Sequence, residues 1–428
     1  MEKLLKNGHV IDPANNINGI SDILIKGNNI CEVAKDITVG EGVETIDLTG
    51  KHVFPGFIDV HTHLREPGRE DKETIASGTR AAAKGGFTAV FCMPNTYPVI
   101  DNSETVEFIH AKAKSEGVVN VFPVGAITKK QEGKELSEMA ELKDAGVVAV
   151  SDDGFSVDDS DLMRSAMEYA TMFGLPLILH CEDKSLAKKG AMNEGYWSTV
   201  LGLAGIPNAA EDVMVARDLI LSKHTGAQIH IAHTSTAGSV ALIRDAIKAG
   251  VKVTAETAPH YFSLTDEVLT SYDTHLKMNP PLRTAKDRES IIEGLKDGTL
   301  GVIATDHAPH TDYEKDLEFS YAPFGIIGLE TAVGLAITEL VEKKVLSLTD
   351  LVKKFSTDPA RIFKLDKRGS LGKGCFADIT VVDTKKEYVV DKNTFASKSR
   401  NTPFHGWKLK GEVYMTIVNG KTVYDINK

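Results

Sequence analysis

Short apolar runs alternate with helix-patterned stretches through the middle of this chain, and that alternation restricts the fold more than any other feature. The runs are FIDVH (57–61), FTAVFC (87–92), VNVFPV (119–124), VVAVSD (147–152), LPLILH (175–180), AQIHIAH (227–233), VKVTAE (251–256) and GVIATD (301–306). Their length and their Val, Ile and Phe content suit strands rather than helices. Between them stand stretches such as ETIASGTRAAAKGG, SDLMRSAMEYATMFG, SVALIRDAIKAG and AKDRESIIEGLKDG. Most close on Gly, as a helix C-terminus does. Strands alternating with helices pair in parallel. Eight of them in about 300 residues predict a TIM (β/α)8 barrel, with a doubly wound sheet as the competing arrangement.

The two ends read differently. KLLKNGHVID, DILIKGNNICEVA and ETIDLTGKHVF near the start, and GCFADITVVD, EYVV and EVYMTIVNGKTVYD near the finish, are short strands broken by Asn/Gly turns. Neither end holds enough strands to be stable alone. Chain termini tend to lie close together. Residues 1–54 and 368–428 are therefore expected to pair into one small β-sandwich domain beside a barrel of residues 55–367.

Composition removes several function classes. A formal charge of −11 with no long basic run argues against a nucleic-acid or anionic-membrane partner. Cys31, Cys92, Cys181 and Cys375 form no C-x-x-C pair, which favours reduced thiols over a disulfide framework. The opening MEKLLKNGHV lacks the apolar core of a signal peptide, and no run of about 18 apolar residues occurs. A soluble, cytoplasmic protein is expected.

The chemistry gathers at the strand ends. In a barrel the C-terminal strand ends form the active-site mouth. The first run ends in DVHTHLREPG, with His61, His63 and Arg65, and the second leads into MPNT with Asn95. Later runs end in SDDG, LHCED with His180, IAHTST with His233, and ATDHAPH with Asp306. His61 and His63, two apart on a strand, share a face. One histidine at a strand end is ordinarily a satisfied core or loop residue. Imidazoles and carboxylates from separate strands meeting at one mouth suit Zn²⁺ instead. Some choices stay open on these grounds. Asp152 and Asp153 are not separable. His230 and His233 both qualify; position favours His233, and His230 is expected to pack among the helices. His260 and His307 stand near the mouth as second-layer candidates. His9, His52, His110, His224, His275 and His405 lie outside it, and Cys181 reads as a core thiol.

The motifs PGFIDVHTHLREPG, MPNT, SDDG, LHCED, MNPPLR, ATDHAPH and the late GCFADITVVD together resemble the dihydroorotases of the class I bacterial type, a branch of the amidohydrolase superfamily. The resemblance covers residues 3–425. The Arg of HLREPG and the Asn of MPNT point to dihydroorotase rather than to the hydantoinases and allantoinases. It implies reversible interconversion of N-carbamoyl-L-aspartate and (S)-dihydroorotate, the third step of pyrimidine synthesis. It also implies one zinc ion on His61, His63 and Asp306, a second on His180 and His233, and Asp153 contacting both. Arg65, Asn95 and His310 would hold the substrate carboxylate, with His63 beside them. Asn279 and the Phe324-Gly325 backbone would contact the ring. An Asp stands where many relatives carry a carboxylated lysine. A homodimer, and association with aspartate transcarbamoylase, follow from the same resemblance.

On that assignment zinc lowers the pKa of bound water toward ~7 and so supplies hydroxide, while Asp306 serves as general acid and base. Residues 307–325, long and Gly/Pro-punctuated, read equally as a lid or as a fixed loop. Two rival readings are another cyclic amidase and a non-catalytic scaffold. The scaffold should have lost metal ligands, and every matched one is present.

Overall fold

The computed structural model describes residues 2–428. Both chain ends enter one hydrogen-bonded sheet. Its path runs Lys421–Asp425, Lys408–Val418, Ile379–Val389, His52–Pro55, Glu2–Asp12, Ile17–Lys26 and Asn29–Ala34, with Glu44–Asp47 also on Glu2–Asp12. The halves join where Ile379 faces Pro55 and Val381 faces Val53, antiparallel. Strand alternation divides the side chains. Ile379, Val381, Met415 and Ile417 pack with Leu5, Val10 and Ile23, whereas Val382, Val413 and Val418 belong to the larger core of the central region. Strands from both chain ends are thus joined along one hydrogen-bonded path.

In the central region the pairing is parallel and returns to its start. Phe57–Thr62 pairs with Phe87–Cys92, and that strand with Asn120–Pro123. Single bridges Gly125–Val150 and Val150–Leu177 carry the order on. Leu177–Leu179, Ile229–Ile231, Val253–Thr257 and Val302–Ile303 follow. A parallel bridge from Thr62 to His307 closes the circuit, so the doubly wound sheet, which has two free edges, does not describe it. Ile58, Val60, Phe91, Ile178, Ala232 and Val302 fill the inside, plugged at one end by Ile362 and Phe363.

The run at 147–152 departs from expectation, since no strand forms there. Backbone bonds reach both neighbours: Val150 N–H donates to Pro176 O and its carbonyl accepts from Ile178 N, while on the other side Gly125 N–H donates to Ala149 O and its carbonyl accepts from Ser151 N. Two residues on, the Asp152 carboxylate accepts from the N–H groups of Ile127 and Thr128. The segment is thus held by single backbone bridges and by the Asp152 side chain together.

Helices begin where short polar side chains cap them. Thr74 and Ser77 form a capping box at Ile75–Lys84, as do Thr284 and Asp287 at Ala285–Asp297, which stops at Gly298 with φ +86°. Asp159 and Thr236 cap Ser160–Met172 and Ala237–Lys248. These caps fix the chain just past each strand end, where the polar residues gather. No helix among the described residues is long and apolar enough to cross a membrane.

Candidate metal centre and active site

The site is assembled from the ends of the parallel strands. His61 lies in Phe57–Thr62 and His63 just beyond it; His180, His233 and Asp306 follow Leu177–Leu179, Ile229–Ile231 and Val302–Ile303. His233 (φ +30°), Asp306 (φ +49°) and Arg65 (φ +62°) all have left-handed backbone. That conformation is unfavourable for residues with a Cβ and clusters at functional positions. All three side chains line the cleft just beyond the strand ends.

Asp153 is the hub. Its Oδ1 lies 3.2 Å from His61 Nε2, 3.6 Å from His233 Nε2 and 3.8 Å from His180 Nδ1, and its Oδ2 lies 3.4 Å from His63 Nε2. Asp306 Oδ1 stands 3.1 Å from His63 Nε2 and 3.6 Å from His61 Nε2. His180 Nδ1 and His233 Nε2 are 2.8 Å apart. The tie between the two aspartates of SDDG is thereby broken. Asp152 points away to cap the 127–128 backbone, and burial lifts its pKa to about 6. Gln131 Nε2 donates to the Asp153 carbonyl at 3.1 Å, which helps carry the short carboxylate inward.

These donors suit a cation. Two groups, His61–Asp153–His233 and His61–His63–Asp306, bring their ligand atoms within 4.8 Å of one another, and all five residues are buried. His61 Nε2 and Asp153 Oδ1 have no hydrogen-bond partner among the described residues. Burial pushes the Asp153 and Asp306 carboxyls up, but the surrounding imidazoles outweigh it and hold both below the usual range. Buried anions need compensating positive charge, and nitrogen and oxygen donors at this spacing fit a divalent metal.

Beyond the ligands lies a cleft of about 220 Å³ lined by Arg65, Asn95, Asn279, His310, Phe324 and Gly325 together with the metal-site residues except His61. The partly buried Arg65 guanidinium donates to Pro309 O at 3.2 Å, and burial lowers its pKa to about 10, which leaves it charged at neutral pH. Asn95 Oδ1 accepts from His63 Nδ1 at 2.8 Å and so aims Nε2 at the aspartates. Asn279 Oδ1 is buried without a partner among the described residues. Burial depresses His310 to a pKa of about 3. Its neutral ring accepts from Lys72 Nζ at Nδ1 (3.1 Å) and donates from Nε2 to Phe324 O (2.8 Å). The pocket is thus both anionic, at the metal site, and cationic, at Arg65.

Three sequence expectations need correction or completion. His230 does not pack among the helices. It lies inside the strand ring against Phe363 at 5.3 Å between centroids, bonded to Thr254 and Glu256. His307 turns toward Glu73 (3.3 Å) rather than the metal site, whereas His260 is buried with Nε2 unpartnered among the described residues. The 307–325 loop is pinned. Lys277 Nζ donates to the carbonyls of Phe319, Ser320 and Ala322, Lys315 Nζ donates to Pro323 O, and Asn401 Nδ2 donates to Ala308 O and Gly325 O. Sequence reasoning passed over Lys72, Gln131, Lys277 and Glu256. The last carried a signal, a carboxylate inside the apolar run VKVTAE. The remaining surface histidines stay outside the cleft, as expected.

Imidazoles and carboxylates converging at one end of a parallel strand ring, beside a substrate-sized cleft, define a metal-dependent amidohydrolase. Comparison with known proteins narrows the class. Residues 50–239 match the family described as dihydro-orotase-like. A dihydroorotase of Acetivibrio thermocellus is 57% identical over 98% of this chain and 98% of its own length. One of Geobacter metallireducens is 56% identical over 99% of this chain and 100% of its own length. Among solved structures, the L-hydantoinase (dihydropyrimidinase) of Arthrobacter aurescens superposes with a TM-score of 0.90 at 25% identity, covering 99% of this chain and 96% of that one. This chain belongs to the dihydroorotase family.

Proposed function

We propose that this chain interconverts N-carbamoyl-L-aspartate and (S)-dihydroorotate, the third step of pyrimidine synthesis, using a zinc site at the mouth of a (β/α)8 barrel. The observation that carries the reading is the pairing, in one cleft, of a buried His/Asp cation site with a guanidinium whose terminal nitrogens can meet a carboxylate. The barrel comprises residues 55–367 and the β-domain residues 1–54 and 368–428, an assignment supported by the closed parallel pairing and the shared terminal sheet. Two zinc ions, a homodimer and association with aspartate transcarbamoylase belong to the same proposal on the strength of the resemblance, and cytoplasmic residence on that of the four unpaired cysteines.

His61, His63 and Asp306 would hold one ion and His180 and His233 the other, with Asp153 between. The chemistry such ions supply is Lewis acidity toward the amide carbonyl and a lowered pKa for water. The rest falls to side chains. Arg65 takes the substrate carboxylate, aided by Asn95 and His310, while Asn279 and the Phe324-Gly325 backbone meet the ring. In hydrolysis Asp306 accepts a proton from the attacking water and delivers it to the leaving ring nitrogen. In ring closure it takes a proton from the ureido nitrogen and returns it to the departing oxygen. The hydrogen bond that Asn95 accepts from His63 and the pinned 307–325 loop keep these groups in register.

A turnover assay on dihydroorotate, hydantoin, dihydrouracil and allantoin tests the assignment, and preference for any of the last three would replace it. Arg65→Met sharpens the test. A hydrogen bond to a charged group contributes roughly 1.5–3 kcal/mol. The variant is therefore expected to lose at least about tenfold in kcat/KM for dihydroorotate, at ~1.4 kcal/mol per decade. Hydrolysis of dihydrouracil, which has no carboxylate, should change much less. Equal losses on both would assign Arg65 to the loop alone.

The equilibrium offers an independent check. The open form carries two carboxylates and the ring one, so closure consumes a proton near neutrality. The cyclic-to-open ratio should fall about tenfold per pH unit as pH rises, one proton per ~1.36 kcal/mol. An unchanged ratio between pH 6 and pH 8 would mean a different substrate pair.

A further inference from the structure

Behind the metal site lies a buried carboxylate with no part in the chemistry above. Glu256 is 1% exposed and ends up between two fully buried imidazoles. Its Oε1 accepts from His61 Nδ1 at 2.7 Å, and its Oε2 lies 3.2 Å from His230 Nε2. His230 is anchored on its other side, with Nδ1 2.7 Å from Thr254 Oγ1. The bond to Oε1 takes the proton of His61 at Nδ1 and leaves Nε2 as the lone-pair nitrogen. That is the atom lying 3.2 Å from Asp153 with no hydrogen-bond partner among the described residues. His63 receives its equivalent constraint from a neutral amide, Asn95. His61 alone receives it from a carboxylate, which also raises the basicity of the opposite nitrogen.

We infer that Glu256, held in place by His230, is a positioning residue that fixes the tautomer of His61 and strengthens its hold on the metal. The inference rests on the metal reading of the site. A carboxylate with one bonded oxygen could rotate about its terminal torsion. Bonding the second oxygen to His230, itself tied to Thr254, removes that freedom and keeps Oε1 on His61. This gives His230, which is far from the cleft surface, a reason to be a histidine inside an otherwise apolar ring interior.

The test measures zinc bound per chain in the full-length holoenzyme after dialysis against buffers of graded free zinc. Loss of an outer partner of a metal-bound histidine costs about 10–100-fold in affinity. Glu256→Gln can still accept from His61, by turning its carbonyl there and its amide toward His230, but it lacks the charge. Half-saturation is expected near the lower end of that range. Glu256→Met keeps the volume and loses both effects, so its shift should be larger, near the upper end. A role in packing alone would reverse or erase that order. Glu256→Met holding zinc as tightly as wild type overturns the inference. Should that variant fail to fold, unchanged half-saturation in Glu256→Gln overturns it as well. Wild-type protein that takes up no zinc at any concentration would instead overturn the metal reading on which this rests.

Discussion

Chelation of the metal is expected to abolish turnover, and added zinc to restore it. Lowering the pKa of water from about 15.7 to about 7 changes hydroxide availability at neutral pH by many decades, so residual activity should fall below detection. The donor set carries this expectation: four imidazoles and two carboxylates, all buried, with ligand atoms facing one another across 3–4 Å. The measurement is turnover of dihydroorotate against zinc content during dialysis and refilling. Full activity in protein shown to be free of metal would remove the site from the mechanism.

Asp306→Asn is the second large effect. The substitution keeps volume and hydrogen-bonding reach but removes the proton acceptor. Losing a general acid–base group typically costs about 10²–10⁴-fold in rate. Asp306 also lies within 3.1 Å of His63 Nε2, so the rate must be read beside zinc content. Retained zinc with a lost rate assigns the proton transfer to Asp306. Lost zinc assigns it to holding the metal. Turnover within a few-fold of wild type would place the base elsewhere. The direction of the pKa agrees with a base available at neutral pH. Burial alone would raise the carboxyl, but the close contact with His63 and the other imidazoles brings it below the ordinary value.

The two experiments separate roles that geometry alone superimposes. Asp306 faces the cleft that contains Arg65 and Asn279, whereas His61 does not reach that surface. A variant at Asp306 therefore touches substrate and metal together. One at Glu256 reaches the metal site through the His61 ring, and through the backbone N–H of His233, without touching the cleft.

Much of this was legible in the residues. Period and length separated strands from helices because a half-turned or doubly buried strand leaves a short apolar run, and capping residues mark where helices start. Candidate ligands could be narrowed to a few residues because each motif sits immediately after such a run, and a strand's end is a fixed place in a parallel ring. Arg65, two residues past His63, shares that placement.

Choices between neighbours were not legible, because they depend on contacts across long sequence separations. Asp152 and Asp153 are chemically identical, and the direction of each was settled by two amides at Ile127 and Thr128 that claim Asp152. His230 looked like a helix-facing residue because its strand is buried on both sides. Only the meeting with Glu256, 26 residues on, and Phe363, from the plug, put it inside. The 307–325 segment has the composition of a mobile loop, yet the Lys277 ammonium gathers three of its carbonyls. Local pattern records which face and which end of an element a residue occupies. The partners that satisfy a buried charge or a backbone carbonyl come from elsewhere in the chain, and folding alone brings them within hydrogen-bonding distance.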